Sequence, residues 1–123
     1  MLKVVTIFLG LVFSAGLVAS EWYDGGTLSG ENALAWQKAT LGNKVASSGD
    51  FMAVMYQSGY LKSEISSSVK GVNDLAPYSI LLAECIDQAT SKHSNAEENQ
   101  RVFSNQKVSE IGASCASLMG WLE

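Results

Sequence analysis

The chain carries only two cysteines, Cys85 and Cys115, and each sits in the middle of an apolar helical stripe. The first stripe runs through Leu75–Ala89. Pro77 suits the opening turn of a helix, where its missing N–H leaves no bond unmade. Tyr78, Leu81, Leu82, Cys85, Ile86 and Ala89 then recur at steps of three and four, with Glu84, Asp87 and Gln88 opposite. The second stripe begins near Asn105 and holds Val108, Ile111, Cys115, Leu118 and Leu122, with Met119 beside them. Each cysteine lies about eight to ten residues into its helix. An antiparallel hairpin therefore brings the two level, within the roughly 4–7 Å Cα separation that a disulfide needs. The spacing predicts a helical hairpin clipped by Cys85–Cys115.

The first twenty residues read as a cleavable signal peptide. Lys3 supplies the positive start, an apolar run follows from Val4 to Leu17, and Val18-Ala19-Ser20 places small residues before a cut at Glu21. The run is short for a membrane anchor. Residues 21–123 then form the exported unit, 103 residues long, a length that suits one domain. The leader holds one of the eight basic residues and none of the twelve acidic ones, so the exported part carries a net charge near −5. That balance argues against nucleic acid and against an anionic membrane surface. Two cysteines with the single histidine, His93, are too few soft ligands for zinc, and a disulfide fits an exported chain better. No cofactor is expected.

Along the chain, residues 21–30 form a glycine-rich lead-in with Trp22 and Tyr23. Ser29 is expected to cap a helix from Glu31 to about Ala39, carrying Ala33, Trp36 and Thr40 on one side. Thr40 caps a second helix from about Leu41 to Gln57, with the stripe Leu41, Val45, Ser48, Met52 and Met55 and small residues at Ala46, Gly49 and Ala53 that permit close helix contact. Gly59 is its stop. Residues 60–74 predict a short helix or loose turn, since the serines at 66–68 and Gly71 weaken the spacing of Leu61, Ile65 and Val69. The polar run from Ser91 to Gln100 is expected to be a surface loop. Nothing alternates as a strand does. The fold class is all-α: a small bundle of about four helices.

Catalytic signals are weak. His93 lies in a polar run without a nucleophile beside it, no serine has a GxSxG context, and the acidic pairs Glu84/Asp87 and Glu97/Glu98 fit solvated surface. No phosphate-loop or calcium spacing is present. The chain is expected not to be an enzyme. A binding role draws on the aromatics Trp22, Tyr23, Trp36 and Trp121 as partner-binding candidates. Met52, Met55 and Met119 would suit an adaptable apolar surface or the core, and Trp121-Leu122 is a candidate exposed patch.

Two segments resemble a known family. Ser48-Gly49-Asp50-Phe51-Met52-Ala53-Val54, and Ala76-Pro77 leading through Ile80 to Ala83-Glu84-Cys85, are similar to the C-E-D-F-L-A-V and T-P-x-I-V-x-A-C segments of HdeA-type periplasmic acid-stress chaperones. The similarity covers about a third of the exported chain. It implies a small helical periplasmic protein with one disulfide, a homodimer near neutral pH that opens in acid to hold unfolding clients. Ser48 stands where the family has its first cysteine, so Cys115 takes the place of that partner for Cys85.

Together these readings predict an exported, periplasmic, non-enzymatic protein that binds a protein partner or unfolded clients in envelope or acid stress. The other reading is an immunity or inhibitor protein that neutralises a periplasmic toxin or hydrolase.

Overall fold

The computed structural model describes residues 21–123, and the leader expected over residues 1–20 lies outside them. Among the described residues there are six α-helices and no strand. They are α1 (Ala33–Lys38), α2 (Leu41–Gln57), α3 (Ser63–Ser66), α4 (Ala76–Ala89), α5 (Ala96–Phe103) and α6 (Val108–Leu118), with a 3-10 turn at Val72–Leu75 running straight into α4.

Three long helices make the core. Lys44 of α2 meets Asp87 of α4, and Gly49 faces Ser79, so these two helices run antiparallel. Tyr78 packs edge-on against Trp121 just past α6, and Cys85 is bonded to Cys115, so α4 is antiparallel to α6 as well. The bridged Cα atoms are 6.0 Å apart, as the hairpin geometry requires. It follows that α2 and α6 run in the same direction. Short backbone bridges tie the residues before α1 to the start of α6, and the residues after α2 to those after α6. Ala33 N–H donates to the Gln106 carbonyl (2.8 Å) and Val108 N–H to that of Glu31 (3.0 Å). At the far end Lys62 N–H donates to the Trp121 carbonyl (2.8 Å) and Glu123 N–H to that of Tyr60 (3.0 Å).

These bridges correct two expected helix starts. Glu31 and Asn32 are held extended against Lys107, so α1 begins only at Ala33, capped by Asn32 rather than Ser29. For the same reason α6 begins at Val108 rather than near Asn105. The second helix has the expected bounds. Thr40 Oγ1 accepts from Asn43 N–H at 3.1 Å, Gly42 rides inside the helix, and Gly59, with φ +76°, ends it where a side chain would be strained. Asn43 and Ser47, one turn apart on α2, accept the N–H groups of Thr27 and Leu28 at 2.9 and 3.1 Å. They fold the lead-in back along the helix and bury Leu28.

The polar run after Thr90 is not a loop throughout. Asn95 Oδ1 accepts from Glu98 N–H (2.8 Å) and opens α5, with Glu97 and Glu98 in the favourable first turn. Buried Asn99 exchanges two hydrogen bonds with Gln37 of α1 (2.8 and 3.1 Å), and Phe103 fills the core side. A helix with one apolar anchor is held here by an amide pair. The hairpin α4–α6 therefore encloses a helix in its connection.

Two stripes are rotated from expectation. On α4 the buried residues are Ser79, Leu82, Ala83 and Ile86, while Leu81 is exposed. Ser79 tolerates burial because its hydroxyl donates to the Leu75 carbonyl at 2.8 Å. On α6 Val108, Gly112, Cys115 and Ala116 are buried and Leu118 is 82% exposed. Leu41, expected on the α2 stripe, is likewise exposed. Ser48 is fully buried with its hydroxyl unpartnered among the described residues.

One polar cluster joins three helices. Asp87 of α4 receives the Lys44 ammonium (2.6 Å) and the Trp36 indole N–H (3.1 Å), while Lys44 also lies 5.8 Å from the centre of the Trp36 ring. The Lys44 hydrogen bond holds the Asp87 carboxyl below its ordinary range, with partial desolvation opposing it and Trp36 assisting.

Two outcomes follow from this architecture. Reducing the disulfide, or replacing both cysteines by alanine, should cost about 3–4 kcal/mol for a loop of this length, read from urea unfolding. A loss well under about 1 kcal/mol would contradict a clip that constrains the unfolded chain. Because the Asp87 carboxyl titrates lower when folded, its contribution is complete above the unfolded value of about 3.9 and vanishes as pH falls through the folded value. Asp87→Asn should therefore be less stable than the parent at neutral pH, by no more than about 1 kcal/mol for so exposed a pair. The two unfolding curves should converge in strong acid.

Candidate functional site

The parallel helices α2 and α6 leave a gap between them. On the α2 side Phe51, Val54 and Met55 stand at i, i+3 and i+4, followed by Tyr60 beyond the helix stop. On the α6 side the matching positions are Ser109, Gly112 and Ala113, which are too small to reach across. The result is an apolar groove of about 520 Å³, closed at one end by Leu122 and at the other by Ser29 and Asp50. That volume lies within the range of ligand-binding clefts. Its rim is open: Val54 is 55% and Tyr60 59% exposed.

Gly112 sets the depth. A Cβ there would touch Phe51 at 3.4 Å and Ile86 at 3.6 Å, so the Phe51 ring lies directly on the α6 backbone. Met55 is nearly buried and forms floor rather than rim. Asp50 is the one charged residue of the lining. Its carboxylate rests where a side chain on Gly26 would be, since a Cβ at Gly26 would lie 2.7 Å from Asp50 Oδ2. Burial raises the Asp50 pKa above its usual range.

The aromatics singled out in the sequence do not converge on this groove. Trp36 is fully buried with its indole on Asp87, and Trp121 is buried in edge contact with Tyr78, ring centres 5.2 Å apart. Both are core residues, which corrects their reading as a partner surface. Each is large enough to fill the space between helices, and each finds its contacts inside. Trp22 and Tyr23 are half-buried and edge to face at 5.5 Å. The Trp22 ring covers Gly49, and its N–H donates to Asn73 Oδ1 at 3.0 Å. They fasten the lead-in. Of the Trp121-Leu122 pair, only Leu122 reaches the groove.

The acid–base candidates are spread out, and Asp87 and Glu98 are engaged elsewhere. Asp87 serves the three-helix cluster, and Glu98 pairs with Arg101 one turn on. His93 lies by Phe103 with its backbone N–H on Asn99 Oδ1. Among the described residues no group of three or more His, Cys, Asp or Glu is placed to hold a metal. No protein-family model, curated protein or solved structure matches the chain.

Filling the gap should abolish what it can hold. A polarity-sensitive apolar dye should bind the native protein, and Ala113→Trp, at an exposed wall position, should weaken that binding by about tenfold or more. The unfolding midpoint should stay unchanged. Equal dye binding by parent and variant would place the apolar site elsewhere.

Proposed function

We propose that this chain is an exported, non-enzymatic binding protein of the bacterial periplasm, and that the α2–α6 groove takes apolar segments of partner or client proteins. The observation that carries this reading is the groove itself: an apolar cleft with exposed Val54 and Tyr60, held at both ends by backbone hydrogen bonds. From Phe51 to the end of α2 at Gln57 its wall runs about 9 Å at the helical rise of about 1.5 Å per residue, with Tyr60 beyond. That accommodates about three residues of an extended chain. A short apolar run of a partly unfolded protein has this size and chemistry. The disulfide supports an oxidising compartment, as does the leader pattern read in residues 1–20. No described helix is long and apolar enough to cross a membrane.

An envelope- or acid-stress setting is part of the proposal, because the Asp87–Lys44 pair that joins α2 to α4 weakens in acid. The bridges that fix the groove's shape favour a second reading as well, in which one partner, a toxin or hydrolase, is neutralised by this protein.

The test is light scattering of chemically reduced lysozyme, at neutral and acid pH, with and without stoichiometric protein. Suppression of aggregation by the parent, and its loss in Ala113→Trp, is the result expected. No suppression at either pH would remove the client-binding reading. Recovery of a single stoichiometric partner from an envelope extract would favour neutralisation instead.

A further inference from the structure

Asp50 sits at the mouth of an apolar groove without a counter-charge. Among the described residues no hydrogen bond or ion pair engages its carboxylate, and no lysine or arginine lines the groove. The two ion pairs that form elsewhere use Lys44 and Arg101, on other faces. The opposite end carries Glu123, exposed and bonded through its N–H to the Tyr60 carbonyl. Residues 21–123 add an excess of five acidic groups. Asp50 itself is exposed at the rim, so its unpaired carboxylate is open to an incoming cation, and the apolar surface beside it mildly disfavours its charge.

Building on the reading of the groove as a peptide site, we infer that its occupant is an apolar segment bearing a lysine or arginine, whose cation pairs with Asp50 while its apolar neighbours lie on Phe51, Val54 and Ala113. The groove then selects for charge at one end and for apolar bulk along its length. Acidic segments are rejected by the same carboxylate. Neutral apolar segments bind through the groove alone.

The inference is tested with three labelled peptides of leucine and phenylalanine, identical except for a lysine, glutamine or glutamate at one end, titrated by fluorescence anisotropy. The lysine peptide should bind about threefold tighter than its glutamine twin, as an ion pair at an exposed carboxylate gives, and the glutamate twin should be weakest. Asp50→Asn should bind the lysine and glutamine peptides alike. Its unfolding midpoint should be equal to the parent's or higher, which separates lost selectivity from lost fold. If the parent binds all three alike, or Asp50→Asn keeps the lysine preference, the inference is wrong while the groove reading stands. If none of the three binds, both fall together.

Discussion

Everything about the groove depends on where the Cys85–Cys115 bond holds α6. It fixes the height of α6 along α4, and with Tyr78 against Trp121 it sets the two helices antiparallel. Since α4 is also antiparallel to α2, the outer helices α2 and α6 point the same way and become neighbours. The backbone bridge Asn32–Lys107 then ties the residues before α1 to the start of α6, and Leu61–Leu122 ties the residues past α2 to those past α6. Between these ties the separation is set by side chains. Large residues on α2 face small ones on α6, and the space left over is the site.

The molecule retains features that stability alone would not favour. Gly112 in mid-helix costs about 1 kcal/mol relative to alanine, yet it lets the Phe51 ring rest on the backbone and deepens the groove. Asp50 keeps a carboxylate in an apolar wall, and Val54 and Tyr60 present apolar surface to water. These lie around one cavity. The core beneath is ordinary by comparison, with Met52, Leu82, Ile86 and Val108 fully buried and the large indoles of Trp36 and Trp121 enclosed. Leu41, Leu81 and Leu118 are exposed elsewhere and the Ser48 hydroxyl is unpartnered, so what sets the groove apart is its concave apolar shape with one carboxylate at its mouth.

The sequence showed its architecture more readily than its site. Cysteines in mid-stripe gave the α4–α6 pairing, and Thr40 and Gly59 marked both ends of α2. Helix α5 was missed because its support is polar: Asn95 and Glu98 form the opening turn, and Asn99 grips Gln37, contacts that hydrophobic spacing does not register. The starts of α1 and α6 were misplaced because a pairing 75 residues apart, Asn32 with Lys107, holds them extended. The groove was hidden for a related reason. Phe51 and Met55 look like core on a helical projection, and Ser109, Gly112 and Ala113 look like nothing at all. Only the parallel placement of α2 and α6 turns a large face and a small face into a cleft. Tryptophans, read for their size, led to the core instead.

The most direct measurement is nuclear magnetic resonance of the oxidised protein, with amide shifts followed as a short apolar peptide is added. The groove account predicts that Phe51, Val54, Gly112, Ala113 and Leu122 move together and saturate at one peptide per chain, while α1 and α5 stay still. Shifts centred on any other face, or none at saturating peptide, would contradict it.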